Sequence, residues 1–156
     1  MKTKLTLLVT LFCLILAGCG GETAPQARPF ENADLNTVLE SGVFSDQLEV
    51  VDAEIVCMLY GLELGGDTVT ACEGYLSGGA TAEELVLFTV ADEAAAESVK
   101  AACQRRVEDQ ILGFEDYIPG EVAKLESAVI AVRGNTILVV VANDGAAAAE
   151  LVNGLN

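Results

Sequence analysis

After Lys2 and Lys4 the chain runs uncharged and mostly apolar from Leu5 to Leu16, and beyond that the apolar positions take on period. Leu35, Val38 and Leu39 follow Asn32 and Asp34, either of which caps a short helix through Leu39. Val51, Ile55, Met58 and Leu59 recur at helical spacing, with Asp52 and Glu54 suited to a first turn. They predict a second helix over 51–60 with those four residues as its apolar face, ended by Gly61 and followed by a turn at Gly65-Gly66. Residues 67–76 read as a threonine-rich strand in which Gly74 suggests a bulge. After Gly78-Gly79, residues 85–91 are apolar on both strand faces, which places them near the centre of a sheet. Asp92 can cap a long helix over 93–112, with Ala95, Val99, Cys103 and Arg106-Val107 as its inner stripe and Gly113 as its stop. Phe114 to Gly120 reads as a loop and residues 121–125 as one helical turn. Two β-branched runs, 128–133 and 136–142, flank Gly134-Asn135, a glycine-first pair suited to a type II′ hairpin turn. Asn143 or Asp144 then caps a terminal helix to about Val152.

The resulting order is α-α-β-β-α-β-β-α. Short turns between consecutive strands imply antiparallel pairing, so the expected fold is α+β: a small antiparallel sheet of about four strands with helices packed on one side. Residues 33–156 form the single domain, and residues 19–32, with Gly20-Gly21, Pro25 and Pro29, form a flexible tether.

The start of the chain changes the picture most. A basic n-region and an apolar run too short for a bilayer span read as a signal peptide over 1–18. The run closes on Leu16-Ala17-Gly18-Cys19, which resembles the lipobox of bacterial lipoproteins. That resemblance implies that Cys19 receives a diacylglycerol and becomes the mature N-terminus, on the outer face of the cell membrane. The alternatives are an ordinary secretory signal cut nearby or an uncleaved anchor.

Charge narrows the partners. The formal net charge is −16, and losing Lys2 and Lys4 with the signal makes it −18. Such a surface repels phosphate backbones, so no nucleic-acid partner is expected. The chain has no histidine, which removes His-based triads, bases and metal ligands. Cys57, Cys72 and Cys103 follow Cys19 without a CxxC pair, and one disulfide plus a free thiol, or three buried thiols, are the choices; the second is favoured. Neither a calcium-loop pattern nor a phosphate-loop lysine occurs, so no metal or other cofactor is expected.

The segments Ala82 to Phe88, Tyr117-Ile118-Pro119, Ser127 to Asn135 and Leu59-Tyr60-Gly61-Leu62, behind a lipobox, together resemble the small bacterial lipoproteins of the family called domain of unknown function 4358. The resemblance covers about Asp34 to Asn156 and implies an extracytoplasmic lipoprotein, with no activity attached.

Candidate chemistry is sparse. Arg105-Arg106 is the one basic pair after the signal, and with Lys100 it would make a cationic spot near Glu115-Asp116-Tyr117, where an arginine can hold a ligand carboxylate bidentately. The competing reading pairs these arginines with Glu108, Asp109 or the loop carboxylates. Tyr117 either rims a pocket or fastens the loop. Glu83-Glu84, Glu108-Asp109 and Glu115-Asp116 are neighbours in sequence and diverge on a helix or strand, so none is an acid/base pair. The expectation is a non-enzymatic binding module for a small ligand or envelope component, with Arg105, Arg106 and Tyr117 at its site. The alternative is an interaction subunit of a membrane-associated assembly.

Overall fold

The computed structural model describes residues 27–66 and 68–156; the expected signal peptide, Cys19 and most of the expected tether lie outside the described residues. The elements are α1 (Asn32–Leu39), β1 (Leu48–Val51), α2 (Ala53–Leu59), β2 (Val69–Ser77), β3 (Glu84–Val90), α3 (Glu93–Glu115), a 3-10 turn at Pro119–Glu121, α4 (Val122–Glu126), β4 (Val129–Arg133), β5 (Thr136–Val141) and α5 (Gly145–Gly154). The strands form one five-stranded sheet in the order β1-β2-β3-β5-β4, every neighbouring pair antiparallel. The α+β class therefore holds.

The expected sheet of about four strands gains β1, a four-residue edge strand on β2. Its last residue, Val51, was expected in α2, which instead starts at Ala53 behind Asp52, whose side chain accepts from the Glu54 N–H. The helices also cover both faces of the sheet rather than one. The reason lies in β3 and β5, which carry apolar side chains on both faces. Leu85 and Leu87 pair with Val140 and Leu138 under α1 and α5. Val86 and Phe88 pair with Val139 and Ile137 under α2 and α3.

The β4–β5 hairpin turns at Gly134-Asn135 as expected. Gly134 has φ +55 and, among the described residues, no non-glycine residue has positive φ, which excludes type I′ and fits type II′.

Phase is where the pattern misleads. In α2 the buried residues are Val56 and Cys57, with Tyr60 just beyond, while Ile55, Met58 and Leu59 are exposed. Both stripes are apolar, so periodicity gives the helix without its rotation. Gly74 helps set the rotation: a Cβ there would lie 2.7 Å from Val56 Cγ2, so only glycine lets α2 sit this close to β2. Gly74 is thus a close-approach position; the register shift of β2 falls between Val69 and Ala71. Gly113 does not stop α3, which runs on to Glu115 and buries Ala96, Val99, Ala102, Cys103 and Val107.

Ordered packing begins before residue 33. Phe30 is buried, its N–H donates to Thr136 Oγ1 at 2.9 Å, and the Arg133 guanidinium lies 4.4 Å from its ring centroid. Arg28 donates to both Asp34 oxygens at 2.7 and 2.8 Å and to the Asn156 carbonyl at 2.8 Å. The last residues of the expected tether are part of the domain, because an aromatic with a core niche does not stay in a linker.

Candidate functional site

The site is built outward from Glu84, the first residue of β3, and Glu83 just before it. Glu83 and Glu84 are both about 1% exposed, and alternation sends them to opposite faces. Each meets its own cation.

Glu83 is fully engaged. Its Oε1 accepts from Lys124 Nζ at 2.7 Å and from the Ser45 hydroxyl. Its Oε2 accepts the N–H groups of Ser45 and Asp46 at 2.9 and 3.0 Å. Burial alone would push its pKa up, but these four donors outweigh that and hold it below the ordinary carboxylate range. Lys124 also reaches Glu121 Oε2 at 3.1 Å, and Glu121 accepts the Ala82 N–H at 2.9 Å. Burial would lower the Lys124 pKa, yet the two carboxylates hold it raised.

Glu84 lies on the α2–α3 side. Arg106 of α3 donates to its Oε2 from Nε at 3.3 Å and from Nη2 at 2.9 Å. Tyr60, at the end of α2, donates its hydroxyl to Oε1 at 2.9 Å. The guanidinium also sits 5.0 Å from the Tyr60 ring centroid, and Tyr60 meets Phe88 edge-on at 5.0 Å. Burial, then the charge of Glu84, raise the Tyr60 pKa well above its ordinary value, so it stays a donor.

Beside this triad an open cleft of ≈ 440 Å³ lies between the end of α2, the C-terminal half of α3 and the Gly79–Thr81 loop. Leu59, Phe114 and Tyr117 give it apolar walls; Arg106, Asp109, Thr81 and Gln110 are its polar residues. Thr81 Oγ1 and Gln110 Oε1 are buried and have no hydrogen-bond partner among the described residues. Buried polar atoms are rarely left so, because each unpaired one costs about 1–3 kcal/mol.

Of the residues expected at a site, Arg106 lines the cleft and Tyr117 forms its rim, 75% exposed. Arg105 is exposed and lines an adjoining recess with Met58, Gly61 and Asp109. Arg106 is not a free cation for a ligand carboxylate, since Glu84 holds it; nor is its partner Glu108, Asp109 or a loop acid. Sequence spacing missed Glu84, Thr81 and Gln110. The one signal was a pair of glutamates at the entry to a largely apolar central strand.

Cys57, Cys72 and Cys103 are all free thiols in or against one core cluster. Cys57 and Cys103 are buried as expected, and Cys72 is half-buried. Burial pushes all three thiols up, Cys103 to about 12, so at neutral pH they are protonated packing groups.

A sheet clothed on both faces, with a recess at the start of its central strand, defines a three-layer α+β domain with a binding-sized cleft. Within that class, a family model described as Domain of unknown function (DUF4358) matches residues 41–142, and the chain belongs to that family. The match runs from before β1 to just after β5, so it includes Tyr60, Glu84 and Arg106 and excludes α1 and α5. No curated protein and no solved structure matches the chain.

Proposed function

We propose that this chain is an extracytoplasmic domain, lipid-anchored through Cys19, that binds a small ligand in the cleft beside Arg106 without transforming it. The observation that carries the reading is the cleft itself, walled by Leu59, Phe114 and Tyr117 with Arg106 and Asp109 among its polar residues. Binding is favoured over catalysis because the buried carboxylates nearby are already committed, Glu84 to Arg106 and Glu83 to Lys124. The anchor rests on the Leu16-Ala17-Gly18-Cys19 motif and its position behind the apolar run.

A second reading, an interaction subunit, draws on apolar side chains left in water near the cleft: Met58 at 68%, Leu112 at 67% and Tyr117 at 75% exposure. Screening the isotope-labelled full chain against a small-fragment library by amide NMR separates the two. Hits that cluster at Thr81, Gln110 and Tyr117 are the expected result. Hits scattered elsewhere, or none, would count against a ligand site. The mass of the N-terminal peptide of the native protein tests the anchor, and an unmodified Cys19 would remove it.

A further inference from the structure

Resting on the readings of Cys19 as the anchor and of the cleft as a ligand site, we propose that the cleft is held facing away from the membrane and takes a water-borne ligand rather than a lipid. Ala27, Arg28 and Pro29, where the described chain enters the fold, line one recess with Glu93, Arg133 and Gly134. Glu93 is the first residue of α3, and Gly134 lies in the β4–β5 turn. The cleft lies at the far end of the same elements. Along α3 the rise from Glu93 is about 20 Å to Arg106 and about 30 Å to Phe114, both in the cleft wall. The central strand agrees. Glu84, which holds Arg106, begins β3, while Val90 ends it at the hairpin turn, donating its N–H to the Asn135 carbonyl at 2.9 Å.

The link to the bilayer is short. Cys19 and Arg28 are nine residues apart, about 30 Å at full extension. Turning the cleft face down would lift Arg28 about 20–30 Å above the headgroups and use nearly all of that reach. A link using less of its reach holds Arg28 too low for a face-down cleft. Lying flat is opposed by charge, since the chain carries −18 without Lys2 and Lys4 and anionic headgroups repel it. By chemistry alone Leu59, Phe114 and Tyr117 would suit an acyl chain. At this height a lipid would have to leave the leaflet and expose its methylenes to water on the way, each at a cost. The same walls can hold the apolar part of a dissolved molecule without that transfer.

The test uses the isotope-labelled full chain, purified from its native membrane and held in phospholipid nanodiscs. With gadolinium-chelating headgroups, the amides of Glu93 and Gly134 should relax several-fold faster than those of Gly113 and Tyr117. A water-soluble gadolinium chelate should relax Gly113 and Tyr117 equally with and without the nanodisc. Equal headgroup relaxation at both ends, or loss of the soluble-chelate effect at Tyr117 on the nanodisc, would overturn the inference and leave the anchor and the cleft standing. An unmodified Cys19 would remove the anchor and the inference together and leave the cleft. Inserting about twenty residues between Gly21 and Glu22 should shrink the contrast between the two ends. An unchanged contrast would overturn the short link as its cause.

Discussion

Glu83 and Glu84 are neighbours in sequence, equally buried and each ion-paired, yet they sit in opposite kinds of surroundings. Around Glu83 every contact closes: a lysine, a hydroxyl and two backbone N–H groups converge on two oxygens. Around Glu84 the contacts stop at Arg106 and Tyr60, and a cleft with two unpartnered polar atoms begins. Complete satisfaction is the mark of a group that holds a fold together; an unpaired buried oxygen beside a cavity is a local cost that the surrounding packing offsets. The two covering layers differ in the same sense. Both α1 and α5, over one face, lie outside the family match, whereas α2 and α3, which bound the cleft, lie within it.

The comparison is broken most severely by attacking the closed cluster. Lys124→Met should leave the Glu83 carboxylate buried without its cation and destabilise by about 3 kcal/mol, read from urea unfolding. A change below about 1 kcal/mol would show that Ser45 and the backbone suffice. The pH dependence carries a sign. Glu83 is held lower in the folded chain than unfolded, so the unfolded chain binds more protons in acid. The stability this supplies is present above about pH 4.3 and lost as pH falls through the lowered value. Lys124→Met should flatten or reverse that part of the acid slope. The contribution of Asp34, lowered by its hydrogen bonds to Arg28, should remain in both proteins.

Next in size is a pair of leucine truncations. Leu35→Ala, in the fully buried stripe of α1, should cost about 3 kcal/mol. Leu59→Ala, exposed on the cleft wall, should cost less than about 0.5 kcal/mol. Equal costs would mean that the cleft face is packed as tightly as its opposite.

The same contrast explains what was legible in the sequence. Local, self-contained signals read correctly: the glycine-first turn at Gly134-Asn135, the Asp92 and Asp144 caps, and the two-faced apolar run of β3. Features fixed by distant partners did not. The rotation of α2 depends in part on Gly74 across the sheet, and β1 is an edge strand of four residues whose pairing with β2 no local pattern announces. Arg106 was legible as a candidate because basic residues are scarce here, but its partner Glu84 lies 22 residues away and its attachment is a tertiary fact. An unpaired oxygen on Thr81 or Gln110 has no sequence signature at all.

A smaller effect sharpens the account of α2. Gly74→Ala would place a methyl 2.7 Å from Val56 Cγ2 and push the helix outward, at about 1–3 kcal/mol. Because Tyr60 and Leu59 end that helix, signals at Tyr60 and at the cleft should move with the loss of stability. Perturbation confined to β2 would separate the glycine from the cleft.

The smallest expected effect is the most discriminating. Thr81→Val keeps the side-chain shape and removes a hydroxyl whose oxygen is buried without a partner. Deleting a satisfied buried hydroxyl ordinarily costs about 1 kcal/mol, because its partner is stranded. Ser45→Ala should behave that way, since the Ser45 hydroxyl donates to Glu83 and also accepts from Lys124 at 3.3 Å. At Thr81 nothing is stranded and an unpaired oxygen is relieved, so the unfolding midpoint should stay level or rise slightly. A loss of about 1 kcal/mol on Thr81→Val would show that the hydroxyl is satisfied in solution. The cleft would then be as closed as the Glu83 cluster, and the difference between the two sides of β3 would be one of shape alone.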